Sequence, residues 1–209
     1  MSWDKYRSFG FREYWLERFL SEGPTWLESN LILGPCQLTA LKRYLRDAEL
    51  LDKSGKPTNL FNLLSRLYFQ DRELAWQVIW LNLTQNSELF NWYAKAIEWG
   101  SKSYKKELKE KLSKEAGIKL RTASNAVNAL INTFKNAPLE WAGKLKGKEL
   151  VEKKGLKQIK PELIAYTLKR LKLDPEKGAE VMGELFGLSE PAYTSALILA
   201  KRVSLWEEI

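Results

Sequence analysis

The residues best suited to contact another molecule lie between Leu112 and Leu130, and they are basic or polar. Seven of them have side chains that can bond phosphates or base edges: Lys114, Lys119, Arg121, Thr122, Ser124, Asn125 and Asn128. Lysine and arginine neutralise phosphates, whereas asparagine, serine and threonine also bond the edges of bases. This group of residues therefore predicts binding of nucleic acid.

Small and apolar residues in the same segment predict two helices joined by a turn. Ala116 would let the helices approach, Gly117 would form the turn, and Val127 with Leu130 would anchor the second helix. In this register the exposed half of the second helix begins at Arg121, and a helix N-terminus favours a phosphate. Two helices and a turn also occur as a packing device in helical proteins, so a structural role is the alternative.

A second basic segment lies further along the chain and is punctuated by glycines. Its candidate phosphate contacts are Lys144, Lys146, Lys148, Lys153, Lys154 and Lys157. Lysines neutralise phosphates without reading sequence, so contacts here would be sensitive to salt. The composition predicts a short helix or hairpin with exposed loops, and the alternative role is a solvated connector.

Basic residues are concentrated in one part of the chain. Residues 102–172 contain 19 Lys or Arg and 7 Asp or Glu, a net charge of +12. Because the whole chain carries +8, the other residues carry a net −4. Localised positive charge favours an anionic polymer as the partner, although a basic protein is also more soluble.

The composition leaves little catalytic machinery. The chain has no histidine and one cysteine, Cys36, which removes His-dependent acid–base chemistry and the usual zinc sites. Phosphate-binding glycine-rich loops and the Gly-x-Ser-x-Gly elbow are also missing from the sequence. The acidic pairs at 107/110 and 207/208 are typical of solvated surfaces, and a magnesium nuclease built from carboxylates is the remaining enzymatic alternative. We expect a protein without catalytic activity or cofactors.

The sequence also predicts where the protein works. No apolar run approaches the roughly 20 residues of a membrane span, and the first ten residues do not resemble a secretion signal. A single unpaired cysteine fits a reducing compartment. These features predict a cytoplasmic protein that does not contact membranes.

Apolar spacings of three and four residues dominate the chain and predict a mostly α fold. We expect a multi-helix protein with helix-turn-helix and winged-helix-like units, arranged as two lobes. Residues 1–137 would form the helical body, 138–160 a basic linker, and 161–209 a C-terminal three-helix lobe.

Other segments refine this prediction. The aromatic residues of the helices near 59–69, 72–85 and 88–98 have the spacing of a buried core, with Asp71 and Ser87 as helix caps. Residues 51–58 form a polar turn after a basic helix, which predicts a small wing or an ordinary loop. A helix-turn-helix-like pattern also occurs near the C-terminus, but Glu190 would be unfavourable beside phosphates, so its role is expected to be structural.

The order of these features resembles an uncharacterised helical family encoded beside, or fused to, enzymes similar to PAPS reductase in DNA-modification and phage-defence loci. The matching segments are FREYWLERFL at 11–20, LGPCQLTALKRYLRDAELL at 33–51, TNLFNLL at 58–64, the tryptophan-rich 74–93 and SNAVNALINTF at 124–134. The resemblance covers about the first 140 residues, and a histidine typical of the family's beginning is absent. It implies a DNA-directed accessory component and supplies no catalytic residues.

Together these features predict a nucleic-acid-binding accessory or targeting subunit of a DNA-modification or defence system. DNA is favoured over RNA as the ligand, and other protein subunits are expected as further partners. Two alternatives remain: a small helical subunit that lines an RNA or DNA channel in a CRISPR-type complex, and a protein-interaction scaffold whose charge serves solubility.

Overall fold

The fold is mostly α, as the apolar spacing predicts, and it also contains one small sheet. A computed structural model describes residues 3–29 and 32–206, and 61% of the protein is helical. The helices within those ranges are α1 (Glu13–Glu22), α2 (Thr25–Ser29), α3 (Pro35–Asp47), α4 (Asn59–Leu67), α5 (Arg72–Asn86), α6 (Glu88–Ala96), α7 (Lys105–Ala116), α8 (Leu120–Asn136), α9 (Pro161–Leu171), α10 (Pro175–Phe186) and α11 (Glu190–Ala200). The strands are β1 (Lys102–Tyr104), β2 (Lys144–Lys146) and β3 (Leu150–Glu152).

Helix starts follow from capping residues in the sequence. The Asp71 carboxylate accepts a hydrogen bond from the backbone N–H of Leu74 at 3.1 Å, so its predicted capping role is confirmed. Ser87 lies at the predicted N-cap position of α6, but its hydroxyl makes no capping bond. The last helix ends at Ala200, not near Trp206 as its apolar pattern predicts.

One apolar core runs through the described residues. Buried side chains from Tyr6 to Trp206 form a continuous cluster, and the aromatic residues of α5 and α6 lie at its centre as predicted. The Trp80 indole N–H donates to the carbonyl of Leu185 at 2.8 Å, which ties α5 to α10. The C-terminal helices therefore share the core of the helical body.

The segment 138–160, expected to be a linker, is ordered by pairing and packing. It forms the hairpin alternative: β2 and β3 are antiparallel, and β1 pairs with the other edge of β3, so the strand order is β1-β3-β2. Leu139, Ala142 and Val151 from this segment are buried in the core. By contrast, the predicted wing at 51–58 contains a single bridge between Leu51 and Pro57.

Nowhere in residues 3–29 and 32–206 does a helix have the length and hydropathy needed to cross a membrane. The predicted paired acids at 207 and 208 lie outside the described residues.

Candidate nucleic-acid interface

Consecutive elements from α6 to β3 pack together as one unit within the fold. Its order along the chain is helix, strand, two helices and a hairpin. The Trp92 indole N–H of α6 donates to the Glu115 carboxylate of α7 at 2.7 Å, and α8 packs against both α6 and β2. The hydrogen bond from Lys111, followed by that from Trp92, lowers the pKa of Glu115.

The predicted turn between two helices is present at 117–119. Gly117 ends α7 in the left-handed region, with a φ of 63°, and its N–H donates to the carbonyl of Ser113. The Ser113 hydroxyl donates to the carbonyl of Ile118 at 2.6 Å, which closes the turn from its other side. Glycine is favoured here because side chains destabilise a positive φ. The turn is therefore fixed by backbone geometry.

The polar face of α8 is open only over its first half. Lys119 and Arg121 are exposed, and Asn125 and Asn128 follow Arg121 on the same face at spacings of four and three. Ser124 lies beside them and Thr122 to one side, and these two residues are half-buried, as are both asparagines. The amide oxygen of Asn128 is buried without a hydrogen-bond partner among the described residues. The most accessible contacts of α8 are therefore at its N-terminus.

The second half of α8 is covered by the N-terminal segment of the chain. The Asn132 side chain donates to the carbonyl of Ser8 at 2.9 Å, and the N–H of Phe11 donates to the Thr133 hydroxyl at 2.9 Å. Gly10 lies directly on this stretch, where a Cβ atom would be 2.2 Å from the α8 backbone. This cover limits a nucleic-acid contact to the residues before it.

The sheet displays a group of lysines on its outer face. Side chains two residues apart on a strand share a face, and Lys102 and Lys144 flank Glu152 in the register. The Glu152 carboxylate lies 3.9 Å from the ammonium of Lys102, 3.9 Å from that of Lys146 and 3.5 Å from that of Lys154. Three ammonium groups around one carboxylate leave this outer face net positive, and all three are exposed.

The fourth lysine of this face is paired separately. The Lys144 ammonium donates to the Glu140 carboxylate at 2.6 Å, which lowers the pKa of Glu140 and raises that of Lys144. Glu140 is exposed and Lys144 is half-buried, so the pair is weak in water and leaves Lys144 able to contact a phosphate instead.

Lys153 does not belong to this surface, although the sequence predicts it there. Strand alternation turns it inward, and it is only 1% exposed. Its ammonium donates to the carbonyls of Tyr93, Ala94 and Ile97 at 3.0, 2.7 and 2.5 Å, which caps the C-terminal end of α6. The same ammonium lies 3.8 Å from the centroid of the Trp99 ring, and burial lowers the pKa of Lys153 to about 7. Lys153 is therefore an anchor of the hairpin and cannot bind phosphate.

The two remaining lysines of the segment lie on either side of this strand. Lys148 is exposed in the hairpin turn, beside the start of α7, where the N–H of Lys105 donates to the carbonyl of Glu149 at 2.8 Å. Lys157 is exposed beyond β3 and lines a cleft together with Lys154.

The structure thus brings the predicted residues together as two groups. Lys114, Lys119 and Arg121 surround the turn at the C-terminal end of α7, whereas the hairpin turn lies beside its N-terminal end. Eleven steps of about 1.5 Å along α7 separate the ends by about 17 Å. The α8 group and the outer sheet face therefore lie at different ends of the unit.

Sequence reasoning missed two members of the outer sheet face. Lys102 and Tyr104 are the first and last residues of β1, a strand too short to be recognised by alternation. The Tyr104 side chain is 56% exposed. Their pairing with residues almost fifty positions away could not be inferred from local spacing.

No family model matches the chain. No curated protein and no solved structure matches it either. Within the described ranges no three or more His, Cys, Asp or Glu side chains form a group that could hold a metal ion.

Proposed function

We propose that this protein binds duplex nucleic acid through residues 88–152, which would act as a winged-helix unit. The supporting observation is the element order α6-β1-α7-α8-β2-β3 combined with the strand order β1-β3-β2. A winged helix has this arrangement, with a helix-turn-helix whose second helix enters the major groove and a hairpin that contacts the backbone. The wing is then the lysine-rich hairpin and not the turn at 51–58.

The positions of charged residues fit such a complex. Arg121 and Asn125 lie on the open half of α8, where Arg can bond guanine and Asn adenine. Lys146 and Lys148 lie on the hairpin, beside the other end of α7, which is about 17 Å long. Because the major groove is about 12 Å wide, a duplex could contact both groups at once, with α8 in the groove and the hairpin on the backbone.

The wider role that we propose is that of a non-catalytic accessory or targeting subunit in a DNA-modification or defence system. The resemblance over the first 140 residues supports this role, as does a sequence without histidine or recognised catalytic motifs. DNA is the favoured ligand, and other subunits would supply the chemistry.

Salt titration of binding tests the proposal directly. The purified chain would be titrated with the same sequence as duplex DNA, single-stranded DNA and RNA at several salt concentrations. Replacing both Lys146 and Lys148 with alanine should reduce the salt slope of log K by about 2, because each phosphate contact contributes about 1. Lys53→Ala, an exposed lysine of the 51–58 turn, is the matched control and should leave the slope unchanged.

A change in α8 should have a different signature. Asn125→Ala should reduce the preference among duplex sequences by about 1–3 kcal/mol while leaving the salt slope almost unchanged. Absence of duplex binding at low salt would refute the proposed function, and equal effects of the hairpin and Lys53 variants would refute the assignment of the wing.

A second candidate function is single-strand or RNA binding on the outer sheet face. The observation that favours it is the exposed ring of Tyr104 on the same face as Lys102, with Lys146 across Leu150 on the far strand, since an aromatic ring near cations can stack an unpaired base. In the same titration this function requires tighter binding of single strands than of duplex and a loss of affinity in Tyr104→Ala. Preference for duplex with an unaffected Tyr104→Ala variant would exclude it.

A further inference from the structure

A cleft of about 890 Å³ opens where the hairpin meets the C-terminal helices. Its volume lies within the range of small-ligand sites, about 300–1,000 Å³. The lining residues come from three places that are distant in the sequence: Glu73 of α5, the stretch from Glu140 to Trp141 together with Lys154 to Gln158, and Gly187 with Ser189 before α11.

The floor of this cleft is preformed by close backbone contacts. The N–H groups of Lys154 and Gly155 both donate to the carbonyl of Trp141, at 3.0 and 2.9 Å. A Cβ atom on Gly155 would lie 2.8 Å from the carbonyl oxygen of Gly187, so the two chain segments touch without intervening side chains. A ligand would therefore meet a shaped surface and not a loop that must order first.

Both carboxylates that line the cleft have a partner within the protein. The Glu140 carboxylate is paired with Lys144, and the Glu73 carboxylate accepts a hydrogen bond from the Gln77 amide at 3.2 Å. By contrast, the buried indole N–H of Trp141 has no partner among the described residues.

The two lysines of the cleft have ammonium groups that carboxylates do not fully neutralise. Lys154 shares the Glu152 carboxylate with two other lysines, and Lys157 is exposed with no carboxylate within 4 Å in the described part of the chain. With Glu140 paired to Lys144, the two ammonium groups outnumber the remaining carboxylate of Glu73, which favours an anionic ligand.

We infer that the cleft binds a phosphate monoester, in particular the terminal phosphate of a nucleic-acid strand. This inference rests on the proposed function, because Lys154 belongs to both the outer sheet face and the cleft and so joins the two surfaces. A terminal phosphate carries close to two negative charges near neutral pH, whereas an internal phosphodiester carries one. Lys154 and Lys157 together therefore select a strand end over the continuous backbone.

The test compares one duplex sequence in four forms: with a 5′ phosphate, with a 3′ phosphate, without terminal phosphates, and closed by hairpin loops at both ends. We expect one phosphorylated form to bind about 5–10-fold more tightly than the unphosphorylated form. Lys157→Ala should remove this preference and keep the affinity for the closed duplex, whereas Lys53→Ala should keep both.

A nucleoside monophosphate separates the cleft from duplex binding. Deoxyadenosine monophosphate at millimolar concentration should raise the Tm of the wild-type protein by about 2 °C. Deoxyadenosine should not shift the Tm of the wild type, and the monophosphate should not shift the Tm of the Lys157→Ala variant. An equal shift with inorganic phosphate would identify the free anion as sufficient and would overturn the strand-end assignment.

The possible failures are distinguishable. Equal binding of all four duplex forms would overturn this inference and leave the proposed function standing. Failure to bind any duplex would overturn the proposed function. In that case a Tm shift with the monophosphate would still support the phosphate site in the cleft, and the absence of a shift would overturn it.

Discussion

Replacing Lys153 with methionine removes the ammonium that caps α6 and keeps a side chain of similar length. The ammonium is buried, donates to the carbonyls of Tyr93, Ala94 and Ile97, and lies 3.8 Å from the Trp99 ring centroid. Methionine cannot donate to those carbonyls, so the last turn of α6 would be left with buried acceptors that have no partner. The variant should therefore fold less stably.

The size of the effect follows from opposing contributions at pH 6, where Lys153 is charged. Hydrogen bonds from a charged donor are worth about 1.5–3 kcal/mol each, so three contribute about 5–9 kcal/mol. The contact with Trp99 adds up to about 2 kcal/mol. Burial of the ammonium opposes these gains and is the cause of its lowered pKa of about 7. Removing one partner from a buried, hydrogen-bonded charge typically costs about 2–5 kcal/mol, and we expect a loss of that size in Lys153→Met.

Urea unfolding at pH 6, followed by far-UV circular dichroism, measures this loss. Lys154→Met is the matched control, because Lys154 is the next residue along the chain and its side chain is 47% exposed. It should change the free energy of unfolding by no more than about 0.5 kcal/mol. If the two variants were equally stable, the buried cation would not stabilise the hairpin and the reasoning would be refuted. Collapse of Lys153→Met to an unfolded chain would support the large effect, provided that Lys154→Met folds.

Two other predictions concern pH and backbone packing. The pKa of Lys153 is about 7 in the folded state and 10.5 when unfolded, so the unfolded chain binds more protons between these values. The free energy of unfolding of the wild type should therefore rise between pH 7 and 10 relative to that of Lys153→Met. A constant difference between the two proteins over this range would contradict the assignment. Gly10→Ala should lower the free energy of unfolding in urea by about 2 kcal/mol or more, since its Cβ would lie 2.2 Å from the backbone of Asn132. The control Gly183→Ala, within α10, should be neutral or stabilising. Equal stabilities of the two variants would show that the N-terminal segment moves away from α8.

Helices were predictable because their signals are local. The apolar spacing of α5 and its cap at Asp71 lie within a few residues of the helix they define, and the observed bounds agree with the predicted 72–85 to within one residue. Gly117 marked the turn between α7 and α8 in the same way. Only the last helix was clearly too long in the prediction, because apolar residues continue beyond Ala200 after the helix has ended.

The sheet and the division of lysines were not predictable from local signals. Pairing of Lys102 with Glu152 joins positions fifty residues apart, and three-residue strands carry too little alternation to be recognised. For the same reason the sequence does not show which side chains near β3 face the core. Composition alone therefore does not distinguish the buried Lys153 from the exposed Lys154. The polar turn at 51–58 follows a basic helix, a local pattern that predicts either a small wing or an ordinary loop, whereas the hairpin at 144–152 depends on pairing with the distant strand β1.

Three consecutive residues of the hairpin show how the fold supports the proposed surface. Glu152 and Lys154 face outward, where the Glu152 carboxylate lies 3.9 Å from the ammonium groups on both neighbouring strands, and Lys153 between them faces inward onto the end of α6. A strand fixed from its inner side presents its outer lysines without an ordering cost on binding. Loss of the inner contact should therefore lower affinity for nucleic acid even though Lys153 touches no ligand. Stability and binding would then fall together in Lys153→Met, whereas in the surface variants of Lys146 and Lys148 only binding would fall.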